Sequence, residues 1–174
     1  MSLQTIAAAI RDIPDFPKPG IVFKDITPLL ANPRIFRETV ELMVAAWLDP
    51  KPDLVVGVDA RGFIFGAAAA YELGLGFVPV RKRGKLPWQR FSAEYALEYG
   101  TDSVEMHVDA VAAGQRVLIV DDLLATGGTA RAAASLIEQG GGEVMGIQAL
   151  IELAFLEPRR ALAPYSVESL IVVD

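Results

Sequence analysis

At 174 residues the chain has the size of one ordinary domain and can bury a full core unaided. Cysteine is absent, which excludes disulfides and thiolate metal sites and makes a reducing cytoplasm the expected setting. A net charge of −6 argues against DNA as the main partner, and the longest apolar region, residues 54–80, is cut by Asp59, Arg61 and Glu72, so no membrane span is expected. No basic segment precedes the first apolar stretch, so no secretory signal is expected either.

In chain order, residues 14–30 (PDFPKPGIVFKDITPLL) carry four prolines and fit no regular element. Their mix of apolar and charged residues suggests a flap packed over a sheet edge. Helical patterns follow at residues 33–48, 62–73 and 128–139, alternating with short valine- and isoleucine-rich strands. The strands fall at residues 54–58, 77–80, 116–121, 144–150 and 169–173. Their apolar character is continuous rather than alternating, the mark of a parallel sheet covered on both faces. The expected fold is therefore α/β, with a central, mainly parallel five-stranded sheet flanked by helices. An N-terminal flap and a mobile β-hairpin loop complete it, with the hairpin at 91–99 and 103–108 turning at Gly100, Thr101 and Asp102. Residues 140–142, all glycine, read as a helix end followed by a turn.

Charge is uneven along the chain. No acid occurs between Gly74 and Ala93, while Arg81, Lys82, Arg83, Lys85 and Arg90 fall within ten residues. A solvated loop would explain a basic run. The Gly84, Pro87 and Trp88 inside it favour a mobile cationic loop beside an anion site.

The densest chemistry lies in VLIVDDLLATGGT, residues 117–129. An apolar strand ends in Asp121 and Asp122, a short turn follows, and Thr126, Gly127, Gly128 and Thr129 open an alanine-rich helix. The glycines let backbone approach a ligand, and the N–H groups that open the helix carry partial positive charge. An anion belongs on that turn. The two carboxylates accept hydrogen bonds, so they suit sugar hydroxyls or a hydrated metal. A second turn, Asp59-Ala60-Arg61-Gly62, ends the first core strand and should open on the same crevice. A local Asp59–Arg61 ion pair is the bland account of it; a phosphate held by Arg61 is the other.

VDDLLATGGT resembles the phosphoribosyl-pyrophosphate motif of the type I phosphoribosyltransferases. DFPKPGIVFKDITPLL, GVDARGFIFG, PVRKRGKLP and SAEYALEYG extend the likeness, in order and spacing, to the adenine phosphoribosyltransferase family along most of the chain. The chain departs from the pattern at Trp88-Gln89-Arg90-Phe91, and the likeness thins after Glu152.

The resemblance implies a single phosphoribosyltransferase domain, with a flap or hood at 1–32 and a core at 33–174 that carries a catalytic loop at 81–108. It implies transfer of the phosphoribosyl group from 5-phosphoribosyl 1-pyrophosphate to adenine, giving AMP and pyrophosphate in purine salvage. Ala125, Thr126, Gly127, Gly128 and Thr129 would hold the 5′-phosphate, and Asp121 and Asp122 the ribose hydroxyls. Arg61 and Lys85 would hold pyrophosphate, with Mg2+ kept mainly by substrate and water rather than by direct protein ligands. Val22, Phe23 and Lys24 would line the adenine pocket, and Glu98 would assist the base as a carboxylate able to take or balance its proton. A non-proline cis peptide is implied at the Asp59-Ala60-Arg61 turn, and a cytoplasmic homodimer as the assembly.

Two other readings stand beside this one: a transferase for another purine such as xanthine, and a non-catalytic regulator that senses the same sugar phosphate. The acidic balance, and the lack of room for a DNA-binding domain before the flap, weigh against the regulator. Tyr95 and Tyr99 read first as hairpin packing and second as phenols reaching the site. His107 reads as a hairpin contact, Trp47 as packing, and Arg159 and Arg160 as a solvent-facing helix start.

Overall fold

The computed structural model describes residues 2–96 and 101–174. Its centre is a parallel sheet whose strands are β3 (Leu54–Val58), β4 (Gly76–Lys82), β7 (Arg116–Leu124), β8 (Glu143–Leu153) and β9 (Val167–Val173). These are the five strands expected. The hairpin adds two more, β5 (Arg90–Ala96) and β6 (Thr101–His107), to give the order β5-β6-β4-β3-β7-β8-β9. β4 runs past its parallel neighbour and pairs antiparallel with β6 at Arg81 and Lys82, so the hairpin extends the sheet edge. Thr101 and Asp102, expected in the turn, pair instead with Ala96 and Tyr95.

The central strands β3 and β7 and most of β8 are buried on both sides, and their residues divide between two cores with period two. Val117 and Ile119 join the core under α5 (Gly128–Gln139), whereas Leu118 and Val120 join the core under α3 (Pro33–Ala45) and α4 (Gly62–Leu73). That double burial is why the sequence lacks polar alternation. α3 starts sharply because the Asn32 side chain accepts hydrogen bonds from the N–H groups of Arg34 and Ile35, both at 3.1 Å, and Pro33 needs no acceptor. Trp47 closes this core and donates from Nε1 to Gln148 Oε1 at 2.8 Å.

The N-terminal region is more regular than its prolines suggest. β1 (Arg11–Ile13) and β2 (Phe23–Asp25) form a small antiparallel ladder, preceded by α1 (Leu3–Ala8) and followed by α2 (Thr27–Ala31). Two ion pairs cross that ladder, Arg11 with Asp25 at 2.6 Å and Lys24 with Asp12 at 2.7 Å. Ile6, Ile26 and Leu29 anchor the region in the α3–α4 core. Pro14, Pro17 and Pro19 fall between the two strands and Pro28 in the first turn of α2, so none interrupts a ladder.

Arg159 does more than the expected solvent-facing helix start. It lies in the first turn of a four-residue helix, α6 (Pro158–Ala161), and is exposed as expected along with Arg160, but its guanidinium also binds the buried carboxylate of Glu152. Among the described residues no helix is long and apolar enough to cross a membrane.

Candidate active site

The carboxyl ends of β3 and β7 lie side by side, since the two strands pair in register from Leu54↔Val117 to Gly57↔Val120. The turns that follow them therefore open on one crevice, as the rule for open α/β sheets requires. After β7, Ala125 to Thr129 wrap a cleft of about 160 Å³ whose walls also include Asp121 and Tyr95. Gly127 takes φ +82, a left-handed conformation that glycine adopts without cost, and caps α5. The first bond of that helix runs from Arg131 N to Gly127 O, so the N–H groups of Gly128, Thr129 and Ala130 lie ahead of the ladder. Their dipoles favour an anion in the cleft.

Asp121 and Asp122 stand within β7 rather than after it, because β7 continues beside β8 as far as Leu124↔Glu152. Both are buried. Burial raises the Asp121 pKa well above the usual carboxylate range, and the neighbouring Asp122 charge raises it further. Burial also raises Asp122, but the Arg61 guanidinium opposes the shift. Gly62 is obligatory here: a Cβ on it would stand 2.6 Å from Asp121 Oδ1.

The Asp59–Ala60 peptide is cis, as the resemblance implied. Arg61 does not pair with Asp59. Its Nη2 lies 2.9 Å from Asp122 Oδ2, its Nη1 donates to the Lys24 carbonyl at 3.3 Å, and its guanidinium sits 4.9 Å from the Phe23 ring centre. One arginine thus joins the acid pair, the β3 turn and the N-terminal ladder. Asp59 is taken by Arg81 at 3.3 Å.

Phe23 is half-buried and meets Phe16 edge-on at 5.3 Å, and the neighbouring Val22 is exposed. Lys24 presents its carbonyl toward the site while its ammonium is engaged by Asp12. Lys85 is exposed in the basic loop and forms no ion pair among the described residues. Arg81, Lys82 and Arg90 of the same loop are paired, with Asp59, Asp102 and Glu105. Glu98 and Tyr99 lie outside the described residues. Tyr95 lines the cleft and shares a 3.2 Å hydrogen bond with Asp102 Oδ2, so the phenol that reaches the turn is on the hairpin strand. Its position follows from the β5–α5 packing, which spacing alone does not reveal.

No cluster of three or more His, Asp or Glu side chains suited to a metal is present among the described residues. The oxygen donors at the crevice are those of Asp121 and Asp122, hard ligands that suit a hydrated divalent cation.

A parallel sheet with a glycine turn for an anion, an acid pair beside it and an arginine bridging to a flap defines the class of phosphoribosyl-handling α/β proteins. The model of the phosphoribosyl transferase domain family matches residues 25–170. An adenine phosphoribosyltransferase from Thermotoga sp. (strain RQ2) is 58% identical over 163 residues, 94% of this chain and 96% of that protein. The crystal structure of the enzyme from Thermoanaerobacter pseudethanolicus superposes with a TM-score of 0.95 at 57% identity, covering 99% of this chain and 100% of that one. The Saccharomyces cerevisiae enzyme, complexed with an imino-altritol bisphosphate and adenine, gives a TM-score of 0.91 at 41% identity over 97% of each chain. The chain belongs to the adenine phosphoribosyltransferase family.

Proposed function

We infer that this chain transfers the 5-phosphoribosyl group from 5-phosphoribosyl 1-pyrophosphate to adenine, releasing AMP and pyrophosphate in purine salvage. The observation that carries this reading is Arg61, which links the acid pair of β7 to the aromatic face of Phe23. A ribose held on Asp121 and Asp122 would lie next to a planar base held at Phe23, with a phosphate on the turn from Ala125 to Thr129.

In this reading the reaction is displacement at the anomeric carbon through an oxocarbenium-like transition state. Asp121 and Asp122 accept hydrogen bonds from the ribose hydroxyls and stabilise the positive charge that grows on the ring. Arg61 and Lys85 hold the departing pyrophosphate, while Val22, Phe23 and the Lys24 backbone hold adenine. Glu98 takes or balances the imidazole proton of the base. Mg2+, when bound, would neutralise pyrophosphate charge, and Asp121 and Asp122 suit it through intervening water. The basic loop and hairpin, residues 81–108, would cover the site and exclude water. Residues 1–32 would form the hood over a core of residues 33–174.

The assembly this reading favours is a cytoplasmic homodimer. Ile64 and Tyr71 lie seven residues apart on α4 at 39% and 87% exposure, a stripe suited to a second copy. The decisive experiment follows pyrophosphate release with Mg2+, the donor, and adenine, guanine, hypoxanthine or xanthine in turn. Release with adenine alone is expected; release with another purine instead, or with none, overturns the reading.

A further inference from the structure

The turn assigned to the 5′-phosphate is moulded from behind by α6. A Cβ on Gly127 would stand 2.9 Å from the Pro158 carbonyl oxygen, 3.1 Å from Leu162 Cγ and 3.4 Å from Ala161 Cβ. The backbone of the turn therefore rests directly on residues 158–162. That support is four residues of helix, too short to hold itself by its own hydrogen bonds. Leu162 fixes one end in the α5 core.

Arg159 fixes the rest. Its Nε and Nη2 donate to the two carboxylate oxygens of Glu152 at 2.8 and 2.9 Å, and its Nη1 donates to the Val167 carbonyl at 2.9 Å. The Glu152 side chain is only 4% exposed. It lies opposite Leu124 in the β7–β8 ladder, and Leu124 is the residue before the turn begins. One fork-to-fork pair thus ties β8, the ladder neighbour of the strand that enters the turn, to the helix beneath the turn. A planar guanidinium on a carboxylate fixes orientation as well as distance, which a lysine cannot do.

We propose that Arg159 and Glu152 are positioning residues for the 5′-phosphate subsite: their pair clamps α6 under Gly127 and so sets the spacing of the turn's N–H groups. The inference rests on the reading of Ala125 to Thr129 as that subsite. Neither side chain touches the substrate, and both act through the backbone of the turn.

The test compares binding of ribose 5-phosphate and of inorganic pyrophosphate by calorimetry, alongside thermal melts. The proteins are the unaltered enzyme, Arg159→Gln, Arg159→Lys, Glu152→Gln and the double variant Arg159→Gln/Glu152→Gln. Arg159→Gln should weaken ribose 5-phosphate by about ten-fold or more, because a small misplacement of a binding group is costly, while leaving pyrophosphate within about two-fold. In steady state the KM for the donor should rise more than kcat falls. The double variant separates positioning from mere stability. It removes the uncompensated buried carboxylate, so its Tm should recover, yet ribose 5-phosphate affinity should stay low because the fork is not rebuilt. Affinity that is unchanged in Arg159→Gln, or that follows Tm back up in the double variant, overturns the proposal. Should Arg159→Gln not fold, Arg159→Lys carries the same comparison, with a smaller expected loss.

Thr129→Asp controls for the underlying reading by placing a carboxylate in the turn. If it leaves ribose 5-phosphate bound normally, the subsite assignment fails and the positioning role with it. If it abolishes binding while Arg159→Gln does not, only the positioning role fails.

Discussion

Arg61 makes three contacts at once, and two of them compete with substrate in the proposed reaction. Pairing with Asp122 and lying over Phe23 offset the cost of leaving a guanidinium at a half-closed crevice. One cation nonetheless faces two buried carboxylates. Asp121 is raised chiefly by burial and then by its neighbour's charge, so the folded protein holds its proton more tightly than the unfolded chain does. For an acid with a raised folded pKa, the stabilising contribution is complete below the unfolded value near 3.8 and is lost as pH rises through the folded pKa. Asp121→Asn should therefore stabilise the fold by about 1–2 kcal/mol at pH 8, with the gain shrinking as pH falls toward 4. Turnover should drop in the same variant. Urea midpoints at the two pH values and a rate assay check this; a variant that is less stable at pH 8 would remove the strain assigned to the acid pair. The acid pair, Arg61 and the glycine turn were legible in the sequence. The partner of Arg61 was not, because Asp59 is two residues away and Asp122 is sixty-one. Only the fold reveals that the distant acid is nearer.

Among the elements, the basic loop is less free than its composition suggests. Glu105 on β6 is buried, accepts from the Gly84 N–H at 3.0 Å and pairs with Arg90 Nε at 3.1 Å. Arg81 is drawn to Asp59 and Lys82 lies 3.7 Å from Asp102, so the strand neighbours of the loop consume several of its charges. Lys85, at the far side of the Gly84 turn, is exposed and forms no ion pair among the described residues. Glu105→Ala would leave a loop N–H without its acceptor and release Arg90, costing about 1–3 kcal/mol. Proteolysis by trypsin at residues 81–90 should accelerate, and the KM for the pyrophosphate-bearing donor should rise. Unchanged cleavage would mean that Glu105 does not hold the loop. Sequence periodicity located β5 and β6 but began β6 two residues late, since hairpin pairing carries Thr101 and Asp102 into the ladder. It also missed β1 and β2, where three-residue strands leave no pattern to read and ion pairs across the ladder supply the order.

At the scale of the whole molecule, the parallel order of β3, β4, β7, β8 and β9 was written in their unbroken apolar runs, because two helical layers cover them. The packing of α6 against the Ala125–Thr129 turn was not, since it depends on a charge pair between strand end and helix. The same fold gives the stability a two-sided pH profile. At the edge opposite the crevice, Arg116 binds Asp53 through Nε at 3.1 Å and Nη2 at 2.9 Å, while its backbone N–H donates to the same carboxylate at 2.9 Å. These bonds lower the Asp53 pKa to about 2. Asp25 is lowered to about 2 by the Thr27 N–H and by Arg11. An acid with a depressed folded pKa gives stability that is present above the unfolded value and lost as pH falls through the folded one. Asp53 and Asp25 thus act against the buried pair in β7: they weaken the fold between about pH 4 and 2, the window in which the cleft acids are already protonated and contribute fully. Stability should rise from pH 2 to 4 and decline again as Asp121 and Asp122 ionise. Asp53→Asn should lower the Tm at pH 6 and leave a much smaller deficit at pH 2, where the carboxylate of the folded, unaltered protein is about half protonated. Circular dichroism melts across that range measure both limbs, and an Asp53→Asn deficit that persists undiminished at pH 2 would show that the pair acts through geometry rather than charge.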